Sequence, residues 1–242
     1  MPAPNAKTLK RPRNPGLVSE VLQHGNYDAQ TVSLLKFNDI DASPVFYDEI
    51  AARLWTNFGG AETDTAQSVF GGSSGKFDGV NEYALADGSA DYVFGTGDWT
   101  IDFRFRMTVL PASNYVLVDF REATNGIYPA ITMDLLGKIS FLVNSGNRIT
   151  GTTSLSINTW YHIAVAKATG NTKMFFNGVQ EGATYVDANS YLCGPLRPCI
   201  GTRGLNPQAF YLSGWLDELR ISKGIARWTA NFTPPVAEYP HA

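Results

Sequence analysis

The run at residues 99–109 constrains the fold more than any other. Trp99, Ile101, Phe103, Phe105, Met107 and Val109 alternate with Thr100, Asp102, Arg104, Arg106 and Thr108. Successive side chains of a strand point to opposite faces, so the run predicts a strand with one apolar and one polar face. Such a strand needs a second layer to cover its apolar side. Further strands are predicted at 31–37, 114–121, 129–135, 138–143, 160–168, 172–177, 197–201 and 210–222. Asn177-Gly178, between Phe176 and Val179, predicts a type I′ hairpin, whose two central residues need positive φ. Gly-rich breaks at 59–60, 71–75, 95–97 and 124–126 punctuate the rest, without a long helical period. Short strands at regular spacing predict an all-β chain: a two-sheet antiparallel β-sandwich over residues 31–242. A helical turn or two is expected near 223–228, and a shorter piece near 17–23.

Residues 1–30 hold Pro2, Pro4, Pro12 and Pro15 and few large apolar residues, and they read as an extended arm. Lys7, Lys10, Arg11 and Arg13 make its first part basic, while the remainder carries 15 basic against 22 acidic residues, a balance of −7. An acidic body offers no footprint for sequence-independent nucleic-acid binding. Without a run of about 18 apolar residues, no membrane insertion is expected. The first residues also lack the apolar stretch of a signal peptide, so synthesis in a cytosol is expected. Cys193 and Cys199 then favour reduced thiols, although a small loop disulfide fits the spacing. Two cysteines with no nearby pair of histidines do not make a zinc site.

Several blocks carry a family resemblance. Gly71-Gly72-Ser73-Ser74-Gly75-Lys76-Phe77-Asp78-Gly79 is followed by Asp98-Trp99-Thr100-Ile101-Asp102-Phe103. Trp160-Tyr161-His162-Ile163-Ala164-Val165 and Phe175-Phe176-Asn177-Gly178 come next, and Gly214 to Pro235 completes the set. In that order, over residues 31–239, they resemble the laminin-G-like, concanavalin A-like jelly-roll family. The Ala226-Arg227-Trp228 and Phe232-Thr233-Pro234-Pro235 ending is similar to modules found in bacteriophage virion proteins. The resemblance implies a sandwich used for binding or assembly, often on carbohydrate, sometimes with a structural calcium ion. The leading expectation is a non-enzymatic virion module, made in the host cytoplasm. It would dock onto capsid or tail proteins through its arm, as a homo-oligomer or within a larger assembly. The alternative is an adhesin for host-surface glycans.

The residues themselves allow a few chemistries and exclude others. Asp39-Ile40-Asp41-Ala42-Ser43 offers oxygen ligands at alternate positions, as the start of a calcium loop would, but Pro44 stands where an EF-hand requires Gly. Simple alternation puts Asp217 on one face with Trp215, Leu219 and Ile221, and Glu218 on the other with Leu216 and Arg220. A carboxylate among apolar residues must be paired, hydrogen-bonded or metal-bound. Asp39, Asp41 and Asp217 are therefore the calcium candidates; Asx turns and a loop tied down by Asp217 are the competing explanation. Tyr115, Tyr128, Tyr185, Tyr191 and Tyr211 lie in or near loops and are the carbohydrate candidates, with Arg104 and Arg106 as hydrogen-bond donors. Gly71 to Lys76 is one residue short of a phosphate loop, and Gly95-Thr96-Gly97 lacks the third Gly of a dinucleotide site. The Asn231-Phe232-Thr233 sequon has no secretion signal to make it meaningful. Glycoside hydrolysis needs two facing carboxylates, and Asp217-Glu218 diverge on a strand. Among His24, His162 and His241, only His162 sits in a strand, where packing explains it.

Overall fold

The computed structural model describes residues 27–50, 53–123, 126–206 and 208–239. The anchoring cations Lys7, Lys10, Arg11 and Arg13 and the helical piece expected near 17–23 lie outside them.

Two eight-stranded antiparallel sheets face each other. The first, sheet A, contains β1 (Thr31–Leu35), β4 (Glu62–Asp64), β5 (Ser74–Asp78), β7 (Trp99–Met107), β12 (Tyr161–Ala168), β13 (Asn171–Phe176), β14 (Val179–Val186) and β16 (Ser213–Lys223). Its order is β14-β13-β12-β7-β16-β5-β4, and β1 also pairs with β16. β16 is long enough to hold β5 along Ser213 to Leu216 and β1 along Leu219 to Ser222. The second, sheet B, contains β2 (Val45–Tyr47), β3 (Leu54–Phe58), β6 (Tyr83–Ala86), β8 (Tyr115–Asp119), β9 (Pro129–Met133), β10 (Ile139–Val143), β11 (Gly146–Thr150) and β15 (Cys199–Ile200). Its order is β11-β10-β9-β8-β15-β6-β3-β2.

The core lies between the layers. Trp99, Ile101, Phe103 and Phe105 of β7 face inward, with Ile163 and Val165 of β12 and Met174 of β13. Trp55, Leu117, Ile131, Phe141 and Ile200 meet them from sheet B. Trp99 packs within 5.7 Å of Phe141 and 5.5 Å of Tyr191, measured between ring centroids. The alternation at 99–109 thus produces its strand, although β7 ends at Met107 and Val109 is half exposed. Asn177 and Gly178 both take positive φ, at 45° and 80°, and turn β13 into β14. The described part of the chain has one helical element, a single 3-10 turn at Ala90–Tyr92.

Two expectations are corrected. Residues 224–228 are not helical but begin an extended strap, because Thr100 Oγ1 donates to Ile225 O and accepts from Arg227 N, holding that backbone to β7. The face assignment along β16 also changes. The β16–β7 register shifts between Asp217 and Arg220, and Glu218 sits at φ 51°. One extra residue in a bulge reverses the alternation beyond it. Trp215 and Asp217 therefore share the outer face with Arg220 and Ser222, opposite Arg106, Arg104, Asp102 and Thr100, while Leu216, Leu219 and Ile221 face the core.

Candidate functional site

The outer face of sheet A is polar by sequence, and the C-terminal strap (224–239) crosses it. Trp228 and Phe232 of the strap stack at 4.1 Å with planes 8° apart. Both meet the His162 ring edge-on, at 5.4 and 5.7 Å, and Phe232 also packs on Phe175. Ala164, Ala166 and Ala168 of β12 present only methyl groups on this face, which leaves room for the rings. Hydrogen bonds fix the course of the strap. Lys173 Nζ donates to Thr229 O at 2.7 Å, Gln180 N to Asn231 Oδ1 at 2.9 Å, and Phe232 N to Gly178 O at 2.9 Å. Arg104 donates to Pro235 O, and Tyr239 N to Glu218 Oε2 at 3.0 Å.

Beside Trp228 the strap leaves an open groove of about 380 Å³, lined by Lys173, Asn171, Thr169, Thr184, Trp228 and Thr229 over a floor of Ala166 and Ala168. That volume lies within the range of small-ligand sites, which combine apolar walls with a few placed polar groups. Here an indole forms one wall, and a cation, an amide and hydroxyls form the rest. None of the lining residues is a carboxylate.

The charged groups of this face lie under the strap instead. Asp102 is fully buried, and Arg220 reaches it at 3.0 Å through Nε and 3.3 Å through Nη2. His162 Nε2 lies 3.4 Å away, and the Tyr239 hydroxyl donates to the same carboxylate. Burial pushes the Asp102 carboxyl up, but the charge and hydrogen bonds of Arg220 and His162 together outweigh it and hold the group at about 2. Burial also lowers His162, against the pull of Asp102, so its imidazole is neutral near pH 7. Asp217 and Glu218 respond differently. Burial raises Asp217 to about 7, although Val69 N and Phe70 N donate to its Oδ2 at 2.7 and 3.2 Å. Burial and then the neighbouring Asp217 charge raise Glu218 to about 8. Asp217 Oδ1 and Glu218 Oε1 are buried without hydrogen-bond partners. This arrangement ties the 65–72 loop and the end of the strap to the β16 bulge, and it exposes no reacting pair.

The other candidates are dispersed. Asp39 accepts from Ile40 N and from Ser43 Oγ, and Asp41 accepts from Thr65 N and Oγ1. Asp217 Oδ2 is engaged by the backbone of the 65–72 loop. Among the described residues, no group of three or more His, Cys, Asp or Glu is placed to hold a metal ion. Three of the five tyrosines belong to the core. Tyr115, Tyr128 and Tyr191 are buried, with hydroxyls bonded to Val109 O, Glu122 and Asp187 respectively. A buried ring with a satisfied hydroxyl is a packing element, so these leave the surface. Tyr185 is half-buried in β14, where its hydroxyl accepts from Asn189 and Arg148 lies 5.8 Å from its ring. Tyr211 is half-buried on the other side of the sandwich, 6.3 Å from Tyr83. Arg106 lies over the Trp215 ring at 5.1 Å, and Arg104 over Phe70 at 5.7 Å. Cys193 and Cys199 are free thiols. The groove residues were not singled out from sequence, although the alternate alanines at 164, 166 and 168 mark a face with space above it.

Comparisons with known proteins agree with this architecture. A family model described as the Concanavalin A-like lectin/glucanases superfamily matches residues 77–227. Domain 4 of AbnA, a GH43 extracellular arabinanase from Geobacillus stearothermophilus, solved with arabinotriose, is similar in structure. The TM-score is 0.61 at 15% identity, over 83% of this chain and 95% of that one. A mutant of Trypanosoma rangeli sialidase displaying trans-sialidase activity gives a TM-score of 0.59 at 16% identity, over 81% of this chain. The chain spans only 31% of that sialidase. The same sialidase with sialic acid gives a TM-score of 0.57 at 16% identity, over 81% of this chain and 31% of that one. At these identities the likeness is one of fold. No curated protein sequence matches.

Proposed function

The chain belongs to the concanavalin A-like lectin/glucanase superfamily, and from that premise we propose that it is a non-catalytic carbohydrate-binding module whose groove beside Trp228 takes a short saccharide. One observation carries this reading. The groove is large enough for a sugar and joins an indole wall to Lys173, Asn171, Thr169, Thr184 and Thr229, with no carboxylate in its lining. Sugars offer C–H faces to rings and hydroxyls to amide and hydroxyl partners, whereas hydrolysis would require two acids across the cleft. The arabinanase domain solved with arabinotriose, which aligns over nearly its whole length, supports the ligand class.

The test is calorimetric titration with a panel of oligosaccharides that includes arabinotriose and sialyllactose. Asn171→Ala and Thr184→Ala should each weaken binding by roughly fivefold, the effect of losing one net hydrogen bond of about 1 kcal/mol. Silence across the panel, or variants that bind as the parent does, would end the proposal. Release of new reducing ends by the parent protein would refute its non-catalytic part.

A second reading places the sandwich in a larger assembly, such as a virion, anchored by Lys7, Lys10, Arg11 and Arg13. Its support is the contrast between that basic segment and a body of net charge −7. It is compatible with saccharide binding by the sandwich.

A further inference from the structure

Among the described residues, Lys173 is the one charged side chain in the lining of the groove beside Trp228. Its ammonium donates to Thr229 O of the strap at 2.7 Å, and it enters no salt bridge among those residues. The cations around it are matched. Arg227, beside Trp228 in the chain, meets Asp28 at 2.8 Å, and Arg220, 5.6 Å from the Trp228 ring, meets Asp102 at 3.0 Å. Lys167, between the floor residues Ala166 and Ala168, is buried and reaches Asp187 at 4.0 Å. Asp98, on the Thr169 side of the groove, accepts from Thr169 N at 2.8 Å.

The strap carbonyl fixes the position of the Lys173 ammonium without cancelling its charge. An ammonium keeps further N–H donors after one such bond. A ligand anion received there would form charge-assisted hydrogen bonds, which are roughly twice as strong as neutral ones. The other polar groups of the groove are neutral. Asn171 Nδ2 spends one donor on a long bond of 3.3 Å to Thr169 O. The Thr184 hydroxyl accepts from Gln180 Nε2 at 3.2 Å and keeps its own hydrogen to give. Such groups suit sugar hydroxyls, so the lining provides for one negative charge and no second.

We infer that the groove selects an acidic sugar, whose single anionic group pairs with Lys173 while its hydroxyls meet Asn171 and Thr184. This rests on the saccharide reading of the groove and adds the charge of its ligand. The chain outside its basic 7–13 segment has a net charge of −7, which disfavours a long polyanion. One acidic residue at the end of a glycan fits both the lone cation and that field. A carboxylate or a sulfate supplies the same chemistry.

The test is calorimetric titration of the full chain with matched pairs: sialyllactose and sulfolactose against lactose, and cellobiouronate against cellobiose. In at least one pair the acidic member should bind roughly tenfold tighter, and the pair that does so identifies the anion. Raising the salt from about 0.05 M to about 0.5 M should shrink that ratio, because the ion pair is screened. Lys173→Gln should bring the ratio close to one, and Lys173→Arg should keep most of it. The ratio separates charge recognition from loss of the Thr229 bond, which would weaken both members of a pair alike. Should Lys173→Gln fail to fold, Lys173→Arg decides: an acidic preference upholds the inference, and equal binding overturns it. Equal binding of acidic and neutral members by the parent would overturn the inference and leave the saccharide reading standing. A preference that survives Lys173→Gln would also overturn it, because another segment, such as Lys7 to Arg13, would then be receiving the anion. If neither these sugars nor arabinotriose bound, the saccharide reading would fall with it.

Discussion

Replacing Glu218 by glutamine is expected to stabilise the protein at alkaline pH and to leave it nearly unchanged in mild acid. Glu218 is 2% exposed, in the bulge of β16, with Oε2 bonded to Tyr239 N and Oε1 unpartnered. The groups around it are Asp217, Glu238, Lys36 and the Tyr239 backbone, and burial followed by the Asp217 charge raises its carboxyl from 4.5 to about 8. A raised acid keeps a proton in the folded state that the unfolded chain has already released. Stability is therefore fully present below about pH 4.5 and falls as pH rises towards 8. At 1.36 kcal/mol per pH unit, the ceiling on this loss is about 5 kcal/mol. Shared titration with Asp217 and water entry on ionisation reduce the expected value to about 2 kcal/mol. Glutamine keeps the acceptor for Tyr239 N and cannot ionise. In thermal melts at pH 5, Glu218→Gln should match the parent; at pH 9 it should melt about 4–8 °C higher. A difference in melting temperature that is the same at both pH values would refute the reasoning, as would a parent that gains stability between pH 6 and 8.5.

Two further outcomes follow from the packing. Gly178→Ala should cost more than about 2 kcal/mol, because Gly178 holds φ 80° and an added Cβ would collide with Phe232 O; a denaturant midpoint like the parent's would show that the strap gives way without cost. Excess chelator should leave the melting temperature within about a degree, since Asp39, Asp41 and Asp217 are each engaged by hydrogen bonds; a drop of several degrees would show a bound cation that stabilises the fold.

How far the sequence speaks depends on the element. The run at 99–109 is legible because burial on one side and the polar strap-facing side on the other write a period of two into it. Asn177-Gly178 is legible because its backbone demands those residues. Short strands such as β2 and β4, three residues each, carry too little alternation to be seen. The bulge in β16 is hidden for a different reason: its positive φ falls on Glu218 rather than on a glycine, so nothing local announces that the faces exchange there. Tyrosines mislead in the same way. Tyr191 and Tyr211 have the same side chain, and only the tertiary position of Asp187 under one and of Tyr83 beside the other separates core from surface. The groove was out of reach because it is made by residues 228–229 lying across strands some fifty residues earlier in the chain, a relation that no local pattern encodes.

The long strand β16 lies between β7 on one side and both β5 and β1 on the other, yet among the described strands it is the last to be made. A nascent chain emerging from the ribosome must therefore leave three earlier segments without their common neighbour until Ser213 to Lys223 appears. Until then, apolar edges of the half-built layer stay open to other chains, and assembly waits on distant pairings of the kind that proceed slowly. Any translation product that stops short of this strand lacks the keystone of its sheet, so truncation near the end should be as damaging as truncation in the middle.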